Sequence, residues 1–283
     1  QKLKIPQVVG YIVIGIIIGS SGFQILRPET IAALDPVNSI ALALIGFLVG
    51  AELKIDVIKK YGKQFIGILL GESITPFFIV GIAEISFGRQ LLDIAIDVFG
   101  SIGIGAAFGF IISMVIKNLM TDEGRVLSFA LGGLLLSTGL CQWLNLDNIL
   151  ASMSVGFFLV NFAPAKTRNV FKLVDKFTPP IYVLFFVLVG AKLNIWKVSG
   201  LLAVIAVVYV LGRTIGKAIG ARLGSRITHA PETVRKYLPL CLLSQAGVAI
   251  GLSIAASNDF PDSVGPEIIL IITATTFIVQ LIG

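Results

Sequence analysis

The chain has 283 residues, 56% of them hydrophobic and only 13% charged, with a mean hydropathy of +0.96 and a formal net charge of +6. No soluble core needs that much apolar sequence, so the composition excludes an ordinary soluble domain and points to an all-α polytopic membrane protein. The surplus of cations is a topology signal, not the footprint of a nucleic-acid partner.

A hydrocarbon core about 30 Å thick needs roughly 17–25 apolar residues per helix. Ten runs near that length follow one another: 5–22, 38–53, 64–87, 95–116, 126–143, 148–163, 179–193, 199–221, 238–256 and 266–282. If the chain crosses at every run, one face collects Lys2, Lys4, Lys54, Lys59, Lys60, Lys63, Lys117, Arg125, Lys166, Arg168, Lys172, Lys176, Arg222, Arg226, Arg235 and Lys236. The other face holds only Arg27, Arg89, Lys192 and Lys197. Positively charged loops stay inside during insertion, so both termini are expected in the cytoplasm, with the chain in a plasma (inner) membrane. The short loops leave 1–283 as a single transmembrane transport domain. No signal peptide is visible at Gln1, and Gly283 falls at the end of an apolar run, as though sequence continued beyond it.

Ionisable groups inside the runs are costly and therefore candidates for function. In the third run, Glu72 stands four residues before Pro76, where a proline frees a backbone carbonyl and kinks a helix. Its structural alternative is a carboxyl hydrogen-bonded to a neighbouring helix. Asp93 and Asp97 open the fourth run, where acidic residues suit a helix N-terminus and capping is the expected role. Gly103, Gly105 and Gly109 lie inside that apolar helix with no strand before them, so they serve packing and not a dinucleotide loop.

The eighth run carries Arg213 and Lys217, four apart on one helical face, with Gly212, Gly216 and Gly220 as a stripe of small residues. Lys217 could snorkel to the surface near Arg222, whereas Arg213 lies deeper. The only histidine, His229, falls in a loop. The ninth run is interrupted by Ser244-Gln245-Ala246-Gly247, with Gly251 beyond. That pattern suits either a broken helix at a mid-membrane ion site or a glycine packing seam.

Enzyme chemistry finds no support: HExxH, GxSxG and P-loop patterns are missing, and no nucleophile–base set assembles. Nothing calls for a cofactor. Val9-Gly10-Tyr11 is no potassium filter, because Ile12 stands where the carbonyl ring needs glycine. Cys141 and Cys241 both lie in apolar runs, and packing is the expected role of each.

Several segments together resemble the monovalent cation:proton antiporter family, the sodium/hydrogen exchanger-type transmembrane domain. They are Ile5-Pro6-Gln7-Val8-Val9-Gly10-Tyr11 with Gly15 and Gly19, Phe47-Leu48-Val49-Gly50-Ala51-Glu52-Leu53, Phe185 through Leu193, Gly212 through Lys217, and Leu243 through Val248. The resemblance implies an inverted-repeat antiporter fold with two broken helices, a homodimer, and membrane-embedded aspartates that bind either a proton or a cation. It also implies that Lys217 pairs with that site, and that Ser244, Gln245 and Gly247 belong to the second broken helix. Na⁺ or K⁺ exchanged for H⁺ by alternating access is the expected activity. Any regulatory nucleotide-binding domain would follow Gly283.

The chain departs from the pattern in two places. The family's first helix is absent, and its first broken helix and aspartate-bearing helix are missing between Gly88 and Leu91, so the fold is expected to be incomplete. Asp93 and Asp97 do not match the aspartate motif. On this reading Lys217 has no carboxylate partner, and the chain as it stands is expected to carry no coupled transport. Two explanations stay open: a stretch omitted from the sequence, or a transport-incompetent scaffold or regulatory relative.

Overall fold

The computed structural model describes residues 7–81, 87–119, 122–193, 196, 199–242, 249, 253 and 265–282. Among the described residues there is no strand. The helices are α1 (Gln7–Ile18), α2 (Pro28–Ala33), α3 (Asp35–Glu52), α4 (Ile55–Gly81), α5 (Phe87–Leu119), α6 (Glu123–Trp143), α7 (Asn148–Phe162), α8 (Pro164–Lys192), α9 (Gly200–Ile227), α10 (Glu232–Cys241) and α11 (Gly265–Ile282). Five stretches are long and apolar enough to cross a membrane: Asp35–Glu52, Ala95–Leu119, Glu123–Trp143, Pro164–Lys192 and Gly200–Ile227. Shorter apolar helices occupy the runs at 5–22, 64–87, 148–163 and 266–282. Most of the ninth run lies outside the described residues.

The chain forms two compact units. The first holds residues 1–32, 58–85 and 186–283; the second holds 33–57 and 86–185.

In the second unit α7 is the central helix, packed by α3, α5 and α6. Small residues bring the backbones together. A Cβ on Gly156 would overlap the carbonyl of Phe47 on α3, and one on Gly105 of α5 would overlap that of Ala151. Phe47, Ile116, Leu134, Val155 and Leu159 fill the space between these helices and are essentially inaccessible. Asn161 at the end of α7 fastens the α3–α4 corner. Its Nδ2 donates to the carbonyl of Leu53 (3.0 Å), and its Oδ1 accepts the N–H of Ile55 (2.8 Å).

The sequence leaves 164–178 as a cationic loop, but the structure makes it the first half of α8. Thr167, Val170, Val174 and Thr178 recur at helical spacing and are buried, so the apolar face sits in the core while Arg168, Lys172 and Lys176 face out. Pro164 begins the helix, where its missing N–H costs nothing. The Lys166 ammonium donates to the terminal carbonyls of α5, at Ile116 (3.2 Å) and Lys117 (2.9 Å).

Asp97 also departs from expectation. Because α5 starts at Phe87, Asp97 lies about three turns in, too deep to cap its own helix. Its Oδ1 instead accepts the N–H of Asp147 (2.7 Å), tying the α6–α7 turn to α5. Asp147 in turn caps α7, accepting from Ile149 (2.7 Å) and Leu150 (2.9 Å). The side chain of Asp93 lies outside the described part.

Burial pushes the Asp147 carboxyl above its ordinary range, the two cap hydrogen bonds pull it down, and Asp97 adds a smaller upward push. Folding therefore takes up a proton here, so this group favours the fold most in acid, and that contribution fades as pH rises through the raised pKa. Asp147→Asn keeps the cap without the charge and is expected to flatten thermal stability across that window. Asp147→Ala removes the cap as well as the charge and should lie about 1 kcal/mol below Asp147→Asn at every pH. Melting curves between acid and neutral pH separate the two variants.

In the first unit, α1 lies against the tail of α8: a Cβ on Gly15 would overlap the carbonyl of Val187, and one on Gly190 the carbonyl of Ile12. These glycines belong to two of the segments that carry the family resemblance. α9 packs against α10 and α11, and α1 touches α11.

Candidate functional site

The site grows from a glycine seam between α4 and α9 in the first unit. On α9, Gly216, Gly220, Ala221, Gly224 and Ser225 are buried. On α4, Gly67 and Gly71 face them. A Cβ on Gly71 would overlap the carbonyl of Gly220, one on Gly220 the carbonyl of Gly71, and one on Gly224 the carbonyl of Gly67. Small residues at four-residue spacing on both helices permit this backbone contact. The seam lies one turn beyond the sequence expectation, because Gly212 stands outside it, on an apolar cavity of about 620 Å³ between α9 and α11. The sequence signal for the α4 half is Gly67-Ile68-Leu69-Leu70-Gly71, which carries the same small-xxx-small spacing.

Contact this close leaves long side chains beside the seam no choice but to meet. The Lys217 Nζ donates to Glu72 Oε1 in a salt bridge, with the two side chains 22% and 21% exposed. Lys217 therefore turns inward to a carboxylate and does not snorkel outward. The expectation that it has no carboxylate partner is corrected: Glu72 is that partner, 145 residues away in the chain. Arg213, one turn along the same face, is half-buried and lies within electrostatic reach of Glu72 and Tyr209. Ser244, Gln245 and Gly247 lie outside the described residues. Among the described residues no group of three or more His, Cys, Asp or Glu side chains could hold a metal ion.

Two apolar helices thus hold one carboxylate against one ammonium, with a guanidinium nearby. The single negative charge of a carboxylate in that setting can be neutralised by the ammonium, by a proton or by a small cation. The transmembrane model of the sodium/hydrogen exchanger family matches residues 1–92 and again residues 82–283. The chain belongs to this family. It is an integral membrane protein, and its family is one of transporters. The two matches overlap at residues 82–92.

The chain is 32% identical over 149 residues to cation/H(+) antiporter 19 of Arabidopsis thaliana, a match covering 47% of this chain and 18% of that protein. The match thus spans a small part of the relative's length. The fold is similar to that of the sodium proton antiporter MjNhaP1 of Methanocaldococcus jannaschii, with a TM-score of 0.70 and 16% identity. That likeness covers 99% of this chain and 90% of the other. It bears out the helical antiporter architecture expected from the sequence.

Proposed function

We propose that the chain is the transmembrane part of a secondary antiporter that exchanges Na⁺ or K⁺ for H⁺ by alternating access, with Glu72 as its ion-binding carboxylate. The salt bridge between Glu72 and Lys217 inside two apolar helices carries this reading. A cation arriving at Glu72 competes with the Lys217 ammonium and with a proton, and that competition couples the two fluxes. The guanidinium of Arg213, within electrostatic reach of Glu72, biases the site against holding two cations at once. The protein works as a homodimer in the plasma membrane with both termini cytoplasmic, a placement supported by the cation partition of the loops.

The test is reconstitution of the chain in proteoliposomes carrying a pH-sensitive dye. With Glu72 supplying the carboxylate that the sequence reading lacked, an imposed Na⁺ or K⁺ gradient is now expected to drive proton movement, in place of the expected absence of coupled transport, and Glu72→Gln to reduce it by at least about tenfold. Flux that survives Glu72→Gln unchanged removes Glu72 from the site. A second reading, a transport-incompetent scaffold, is favoured by the missing aspartate-bearing helix. Wild-type vesicles that move no protons under either gradient would establish it.

A further inference from the structure

The second unit contains a cleft of about 1090 Å³ that the antiporter reading does not use. Pockets for small ligands span about 300–1,000 Å³, so this one is large enough for a sizeable group. One wall is the outward face of α8, with Arg168, Lys172 and Asp175. The other is the α3–α4 corner, with Glu52, Lys54 and Asp56. All six side chains are exposed, and among the described residues none of them finds a salt-bridge partner despite the mixture of signs.

The depth of the cleft narrows its occupant. The apolar runs at its walls end at 53 and 163 and resume at 64 and 179, so the cleft lies just past the hydrocarbon, at the cation-rich ends of the helices. This is headgroup level. Leu48, Val57, Val160 and Phe171 add an apolar part to the lining, suited to the glycerol end of a lipid.

Charge narrows it further. An anion alone would face three carboxylates, and a cation alone would face three cations. A group carrying both signs satisfies both walls. Arg168 and Lys172, one turn apart on α8, present guanidinium and ammonium donors to a phosphate. Glu52 and Asp56, either side of the corner, present acceptors to an ammonium. A primary ammonium has three N–H donors for them, whereas a quaternary one has none.

We infer that this cleft binds a zwitterionic phospholipid through a phosphoethanolamine headgroup, with the phosphate on Arg168 and Lys172 and the ammonium on Glu52 and Asp56.

The experiment is native mass spectrometry of the delipidated full chain offered equal amounts of phosphatidylethanolamine, phosphatidylcholine and phosphatidylglycerol. Phosphatidylethanolamine is expected to be retained about tenfold over phosphatidylcholine, the worth of one charge-assisted hydrogen bond. Glu52→Gln with Asp56→Asn should erase that preference, and Arg168→Gln with Lys172→Gln should abolish retention. These groups are exposed, so an unchanged melting temperature verifies that the variants fold. Equal retention of all three lipids, preferential retention of phosphatidylglycerol, or a preference that survives both double variants overturns the proposal. Stabilisation by soluble phosphoethanolamine without retention of the lipid overturns the membrane source.

Discussion

Lys217→Met is expected to destabilise the purified protein by about 2–4 kcal/mol, and adding Glu72→Gln should recover at least half of that loss. The asymmetry follows from what each change leaves behind. Lys217→Met alone leaves Glu72 between two apolar helices without its salt-bridge partner, with Arg213 within electrostatic reach but in no salt bridge to it, and a poorly compensated charge in such a place costs far more than a well-paired one contributes. The double variant removes both charges and keeps similar volume. An exposed ion pair would behave differently, contributing about 0–1 kcal/mol with nearly additive single changes. The 22% and 21% exposures of the two side chains place this pair nearer the buried limit. The measurement is a double-mutant cycle of thermal stability in detergent, repeated at high salt. A coupling below about 0.5 kcal/mol that vanishes with salt would show a solvated pair, and Glu72 would lose its role as the ion-binding carboxylate.

The same pair shows where reading the sequence succeeds and where it stops. Helices α3 and α6 follow from their apolar runs, and α9 from one interrupted only by Arg213 and Lys217, because lipid and protein neighbours alike demand apolar side chains there. The first half of α8 was not legible. Its four cations outweigh the period of Thr167, Val170, Val174 and Thr178, and only the neighbouring helices turn that period into a buried face. Glu72 and Lys217 could each be singled out as costly in hydrocarbon, yet the alternative for Glu72 was a hydrogen bond to an unidentified neighbouring helix, and that for Lys217 was snorkelling toward Arg222. Their pairing depends on which helices touch, a long-range fact that no local spacing contains. The clue available was the matched glycine spacing on both helices, read on α9 and missed on α4.

That spacing leads to the other large effect: Gly220→Ala should destabilise the protein by about 1–3 kcal/mol, although one methyl group is all that it adds. The new Cβ would meet the Gly71 carbonyl and lie 2.9 Å from Thr75 Oγ1. Backbone cannot rotate away as a flexible side chain can, so α4 and α9 must separate. Separation also draws Glu72 from Lys217, since the pair lies directly beside the seam. Gly220→Ala should therefore lower the coupling measured in the cycle as well as the stability. The control is Gly139→Ala on α6, where a Cβ meets nothing within 4 Å. Replacing glycine in an open helical position stabilises by up to about 1 kcal/mol, so the same substitution should act in opposite directions at the two sites. Equal effects at 139 and 220 would mean that α4 and α9 are not in backbone contact, and the pair that depends on that contact would lose its geometric basis.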